Sequence, residues 1–388
     1  MTRNGTKQKK EERISTTIFV SKAMVGAELE IQEECLVEIN DGMITNIRPD
    51  SSPSDAETSF VQCLAIPGFV NSHLHSGDSV AKDVAYGLTV DQSVGKNGIK
   101  HQLLAKHHLL IQNAIENTIQ ELKISGTSAA IEFREGGKKG AADAIAARHS
   151  TGFDLKIYGR PISGLEEAEE VLSSCDGFAL SATTVYSDEE LNVLSSLGKR
   201  AGKKIFVHCM ETTEEVTLSR KRYGQTDLER AIKPLEADFL VHMTYASEND
   251  LMTIAERKTP VTGIICCPRS NAYFGERFPP ISWILENAPD MLCLGTDNVM
   301  TTPPSVQTEL NWTALQLLKE KKAYDCQLLL KLITSNPARL FQLKTGIIEQ
   351  GHRADFNLID LNSPNLKFSK DFYKMVVFRL LPVNFVSW

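Results

Sequence analysis

The chain contains no apolar run of the roughly 18 residues that a membrane-spanning helix requires, so no helical span is expected. A basic excess is also missing: 42 Lys and Arg against 49 Asp and Glu leave a net charge of -7. Proteins that bind nucleic acid or membrane surfaces need cations to meet phosphates, so neither partner is expected and the ligand is read as small. Cysteine occurs at 35, 63, 175, 209, 266, 267, 293 and 326, with no CxxC pair and no dense framework. These read as reduced, mostly buried thiols of a cytoplasmic protein. The opening "MTRNGTKQKKEERIS" has no apolar core of a secretory signal, and its first dozen residues read as a loose tail.

What is present is ordinary globular composition, 388 residues with 42% hydrophobic and 23% charged side chains. Residues 16 to 50 alternate apolar and polar in short runs around the turn signal "NDG" at 40 to 42, a hairpin pattern. From about residue 66 strand-length apolar runs alternate with helical spacing. "AIPGFVN" (65 to 71), "TSAAIEF" (127 to 133), "LKIYG" (155 to 159), "GFALSA" (177 to 182), "KIFVH" (204 to 208), "DFLVH" (238 to 242), "VTGIICC" (261 to 267) and "MLCLGT" (291 to 296) are eight candidate strands. Eight parallel strands each followed by a helix make a (β/α)8 TIM barrel, an α/β fold, over residues 66–345. Residues 14–65 and 346–388 return to β texture and are expected to pair into a small discontinuous β-sandwich domain. "FYKMVVFRLLPVNFVSW" reads as a strand of that domain, with Val386 and Trp388 packing there or against a second copy in a homo-oligomer. The polar, Gly-rich stretch opening residues 76 to 126 is read as a lid at the catalytic end of the barrel.

Catalytic groups of such a barrel belong at the C-terminal ends of its strands. His73 and His75 share a strand face in "NSHLH", His208 and His242 end the fifth and sixth strands, and Asp297 follows the eighth. The other histidines, 101, 107, 108, 149 and 352, end no strand and receive no role. Imidazoles with one carboxylate suit Zn²⁺, and Fe²⁺ could also be held. Which imidazoles bind is left open by the spacing.

In order along the chain, "PGFVNSHLH", "HCMET", "VHMTYAS", "CPRSNAYFG" and "LGTDN" resemble the motifs of the amidohydrolase superfamily. The branch is that of cytosine, guanine, adenosine-type and S-adenosylhomocysteine deaminases and triazine chlorohydrolases. The resemblance implies one metal ion held by His73, His75, His208 and Asp297, with His242 bonded to its water. Glu211 would shuttle a proton from that water to a ring nitrogen, Asp297 assisting, in hydrolytic deamination of an aminated heterocycle, a nucleobase or nucleoside derivative. Asn271, Arg160 and Thr183 are candidate substrate contacts, while Arg269, Glu132 and Glu135 stand between contact and bracing. "GFALSATTVYS" carries no Lys for a second metal, and Ala182 and Thr183 stand where ring-deaminating relatives carry Pro-His. Two alternatives stay open: another leaving group, as in chlorohydrolases or other C–N hydrolases of the superfamily, and a non-catalytic metal-binding homologue.

Overall fold

A computed structural model describes residues 15–388 except 51, 96, 163, 164 and 257, and the expected tail at residues 1 to 12 lies outside the described residues. Alternating side chains fold the first segment into β1 (Ser15–Val25), β2 (Glu30–Asn40) and β3 (Met43–Pro49). The turn at Asp41–Gly42 sets Asn40 opposite Met43. β4 (Thr58–Ile66) then runs parallel to β1.

The apolar runs that follow are β5 (Phe69–His75), β6 (Thr127–Arg134), β7 (Asp154–Gly159), β8 (Gly177–Leu180), β9 (Lys204–Cys209), β10 (Phe239–His242), β11 (Gly263–Cys266), β12 (Leu292–Leu294) and β13 (Asp297–Asn298). From β5 to β12, each pairs in parallel with its neighbours in sequence. β13 pairs with β5, so the two ends of this sheet are one stretch of chain interrupted at Gly295 and Thr296. The Gly295 and Thr296 amides donate to the carbonyls of Cys266 and His73, each at 3.0 Å, completing a TIM-barrel-like sheet. Glycine is required at this seam, because a Cβ on residue 295 would lie 2.6 Å from His73 Cβ. Inward-facing Phe133, Tyr158, Phe206, Phe239, Val241 and Ile265 fill the interior, with Phe206 and Phe239 stacked at 4.4 Å. The barrel is a packed core, and chemistry is left to its rim.

At four places the structure adds to or alters the sequence reading. The strand expected over 65 to 71 is two strands, β4 and β5, broken at Pro67–Gly68. Gly68 approaches its neighbours so closely that a Cβ would sit 2.0 Å from Ser128 Oγ. Near the end of the barrel segment lie two short helices, Cys326–Lys331 and Ser335–Leu340. Residues 76 to 126 are largely helical, with Val90–Val94, Ile99–Lys106 and Ile111–Ile124, the last burying Ile115, Ile119 and Leu122.

The fourth change is at the C-terminus, where a helix, Phe372–Arg379, replaces the expected strand. Asp371 caps it by accepting from the Lys374 amide at 2.9 Å. Its last turns are held by Gln307 and Asn311, which donate to the carbonyls of Val376 and Val377. Beyond it, β14 (Asn357–Asp360) and β15 (Phe385–Val386) join β1 to β4 in one six-stranded sheet, in the order β15-β14-β4-β1-β2-β3. Val386 pairs with Leu358, and the Trp388 ring stacks on Phe356 at 4.5 Å. Among the described residues no helix is long and apolar enough to cross a membrane.

Candidate metal centre

At the C-terminal rim, β5 delivers His73 and His75 with ring centroids 4.9 Å apart. His208 from β9 lies 5.0 Å from His73 and 5.5 Å from His75, and His242, the last residue of β10, is 5.4 Å from His208. Asp297 opens β13 with Oδ1 3.2 Å from His73 Nε2 and 3.5 Å from His75 Nε2. One donor atom from each of His73, His208, His242 and Asp297 lies within 4.8 Å of the others, all of them buried. Phe133 packs its ring 4.1 Å beneath His73 and closes the floor.

The partners behind these rings decide which nitrogens face inward. His208 Nδ1 donates to the Leu180 carbonyl at 2.9 Å, and His242 Nδ1 donates to Asn271 Oδ1 at 3.2 Å. Asn271 is itself oriented, its amide donating to Thr244 Oγ1 at 2.6 Å. His75 Nδ1 faces Glu135 Oε1 at 2.8 Å. Each ring therefore turns Nε2 toward the centre, the arrangement by which outer partners orient metal-binding histidines. His242 Nε2 is buried and accepts or donates no hydrogen bond among the described residues. An orphaned imidazole nitrogen beside two further imidazoles and a carboxylate fits a zinc ion.

Charge states agree. Burial lowers His73 to about 3 and holds His208 well below the ordinary imidazole value, so both rings are neutral near pH 7 and each keeps a lone pair. Burial pushes the Asp297 carboxyl up, but the bond to His73 and the nearby imidazoles outweigh it and hold the group well below the usual carboxylate range. Its other oxygen accepts from Ser270 Oγ at 2.5 Å.

Glu211 reaches the centre from the turn after β9, with Oε1 3.7 Å from His242 Nε2. Burial raises its pKa, the neighbouring imidazole of His242 opposing. The backbone here is unusual: Met210, His242, Met243 and Asp297 all take left-handed φ, at 51°, 75°, 52° and 61°. Such conformations cost about 1–3 kcal/mol each for non-glycine residues and cluster where side chains must be aimed. Met210 is held by Asp227, whose Oδ2 accepts the Met210 amide at 2.5 Å.

The remaining candidates sit further out. Arg160 Nη1 lies 3.7 Å from Glu135 Oε1, behind His75. Thr183 is buried with its hydroxyl on the Asp227 carbonyl at 3.5 Å and its own carbonyl taking Arg230 Nη1 at 2.7 Å, partners away from the imidazoles. Arg269 braces two loops, its amide and Nε on Glu309 at 2.7 and 2.6 Å and Nη2 on the Pro303 carbonyl. Glu132 accepts the Ser76 amide at 2.9 Å. Sequence reasoning assigned no role to Ser270, Asp227, Asp78 or Lys100. Ser270 lay inside the motif "CPRSNAYFG" and Asp78 in the polar stretch opening residues 76 to 126; Asp227 and Lys100 carry no local signal at all.

A family model described as the amidohydrolase family matches residues 64–381. A protein of Methanothermobacter thermautotrophicus, provisionally named an aminohydrolase, is 32% identical over 377 residues, 93% of this chain and 94% of that one. A 5-methylthioadenosine/S-adenosylhomocysteine deaminase of Haloarcula marismortui is 26% identical over 347 residues, covering 83% and 79%. Among solved structures, an adenosine deaminase of Xanthomonas campestris with bound zinc superposes with a TM-score of 0.80 at 20% identity, over 95% of this chain and 90% of that one. The chain belongs to the amidohydrolase family, as a hydrolase of carbon–nitrogen bonds.

Proposed function

We propose that the protein deaminates an aminated heterocycle, a nucleobase or nucleoside derivative, with one zinc ion held by His73, His75, His208 and Asp297. The observation that carries this reading is the Glu211 carboxylate, 3.7 Å from His242 Nε2 at the edge of the donor cluster. Zinc, when bound, acidifies water enough to supply a hydroxide nucleophile near neutral pH. The chain's own residues supply the proton traffic. Glu211, its pKa raised by burial, takes a proton of the attacking water and passes it to the ring nitrogen, then carries the proton of the newly added hydroxyl to the amino group, which leaves as ammonia. His242 keeps its proton on Nδ1, hydrogen-bonded to Asn271 Oδ1, and so offers an Nε2 lone pair to the same water. Asp297 is pinned through Oδ2 by Ser270, which leaves Oδ1 for the centre.

The deaminase name of the Haloarcula relative makes 5′-methylthioadenosine the first substrate to try, with Ala182 and Thr183 in place of Pro-His as the reason to test widely. Eight buried free thiols support placement in the reducing cytoplasm. The test is ammonia release from a panel of purine nucleosides, pyrimidines, pterins and triazines. Glu211→Gln should lower kcat by about 10²–10⁴ at unchanged zinc content. The acid limb of the wild-type pH profile should fall above the ordinary carboxylate range. No turnover across the panel would overturn the proposal.

A further inference from the structure

Beside the first donor group lies a second, in which His75, Asp78 and Glu135 bring one donor atom each within 4.8 Å of one another. His75 belongs to both neighbourhoods, with Nε2 3.5 Å from Asp297 Oδ1 and Nδ1 2.8 Å from Glu135 Oε1. Two carboxylates and an imidazole buried together demand a cation, since an uncompensated buried charge is strongly destabilising. The chain supplies one. Lys100 Nζ lies 2.6 Å from Asp78 Oδ2 and 2.7 Å from Glu135 Oε1, with its side chain 4% exposed and that of Asp78 0%.

Arg134 does not fill the same place. Its guanidinium is shared between Glu132 at 3.1 Å and Glu135 at 3.0 Å, and it approaches Asp78 no nearer than 3.9 Å. Its position is fixed by contact with the backbone at Gly77, where a Cβ would fall 2.0 Å from Arg134 Nη1. Arg160 stays 3.7 Å from Glu135. Among the described residues Lys100 alone comes within 3 Å of both Asp78 and Glu135.

We propose that the Lys100 ammonium is the fixed second cation of this centre. It occupies the position between Asp78, Glu135 and His75 that a divalent ion would otherwise take, and so limits the centre to one exchangeable metal. Through Glu135 it also holds His75 with Nε2 toward Asp297, which makes Lys100 a positioning residue. The lysine is carried by helix Ile99–Lys106, so the 76 to 126 segment contributes a charge to the centre as well as covering the barrel. The inference rests on the metal reading above and is independent of deamination.

The test counts bound zinc and manganese per chain, after dialysis against each metal alone, in wild type, Lys100→Ala, Lys100→Arg and the double variant Lys100→Ala/Glu135→Gln. Lys100→Arg should match wild type, and Lys100→Ala should hold one ion per chain more than wild type. Loss of Glu135 should cancel that gain. A folded Lys100→Ala with the wild-type count, or a gain that survives in the double variant, would overturn the proposal. If Lys100→Ala does not fold metal-free, refolding with Mn²⁺ decides: native circular dichroism restored by the ion supports the inference, and no restoration overturns it. Wild type that binds no metal would refute the centre itself, whereas the extra ion is counted relative to wild type and reports on Lys100 alone.

Discussion

Replacing Arg230 by Met should cost the fold about 2–4 kcal/mol, and the structure says where the loss arises. The side chain is wholly buried, with Nη1 on the Thr183 carbonyl and Nη2 on the Tyr186 carbonyl, each at 2.7 Å. Nε lies 2.8 Å from Asp188 Oδ1, and the guanidinium stands 3.5 Å over the Tyr223 ring. Met keeps most of the stem volume, so little packing is lost. Each carbonyl retains a second donor, the Tyr186 amide for Thr183 and the Tyr223 hydroxyl for Tyr186, which keeps the two lost charged-donor bonds near the low end, about 1.5 kcal/mol each. Asp188 is 42% exposed and rehydrates, so its ion pair contributes about 0–1 kcal/mol. The cation–π contact adds about 1–2 kcal/mol. Relief from burying a charge offsets part of this sum, leaving the net above. Urea unfolding measures it as a fall in midpoint at constant m. Lys at 230 should rescue little, because an ammonium lacks the planar fork that reaches three acceptors. A loss under about 1 kcal/mol, or full rescue by Lys, would refute the reasoning.

Other expectations follow from single groups. Asp227→Ala removes the acceptor that pins Met210 at positive φ, so kcat should fall roughly tenfold with zinc content unchanged, and Asn should restore most of it by accepting the same bond. Unchanged kcat in the Ala variant would contradict the role. Burial raises Asp355 to about 6 while its Oδ1 accepts from Thr345. For an acid raised on folding the cost is absent near pH 4, grows as pH rises through 6 and is complete above it. Asp355→Asn should therefore stabilise the protein at pH 8, by an order-of-magnitude 1–3 kcal/mol, and leave it unchanged near pH 4; equal urea shifts at both pH values would count against this. All eight cysteines are buried, and burial pushes the thiols of Cys266 and Cys293 up, that of Cys293 to about 12. Native protein should resist a thiol reagent that titrates eight groups in denaturant, and rapid labelling of the native state would contradict the packing.

The barrel was legible because its strands are short apolar runs, such as "KIFVH" and "DFLVH", whose last residue is the site residue itself. With His208 and His242 at strand ends, the cluster of potential donors could be read from periodicity, while the choice of ligands among them came only from the family resemblance. Three features resisted for different reasons. Phe372–Arg379 has apolar residues spaced well enough for strand or helix, and Asp371 as its cap decided between them. Pro67–Gly68 sits inside a continuous apolar run, so only the close approach of Ser128 showed that two strands meet there. Lys100 looked like one more charge on a polar segment, because Asp78 and Glu135, 22 residues before it and 35 after, are brought to it by tertiary structure alone.

The seam between β12 and β13 also sets a timetable. Asp297 hydrogen-bonds His73 across 224 positions of chain, and it does so on the strand that closes the barrel. A chain still emerging from the ribosome, complete through β11, carries all four imidazoles and none of the carboxylate that joins them. Long-range contacts of this kind form late, after the entropy of the intervening loop has been overcome. The full set of proposed donors is thereby complete only once synthesis has passed residue 297. An ion bound there acts as a clasp on the closed ring, and half-made protein has no full set of donors with which to sequester it.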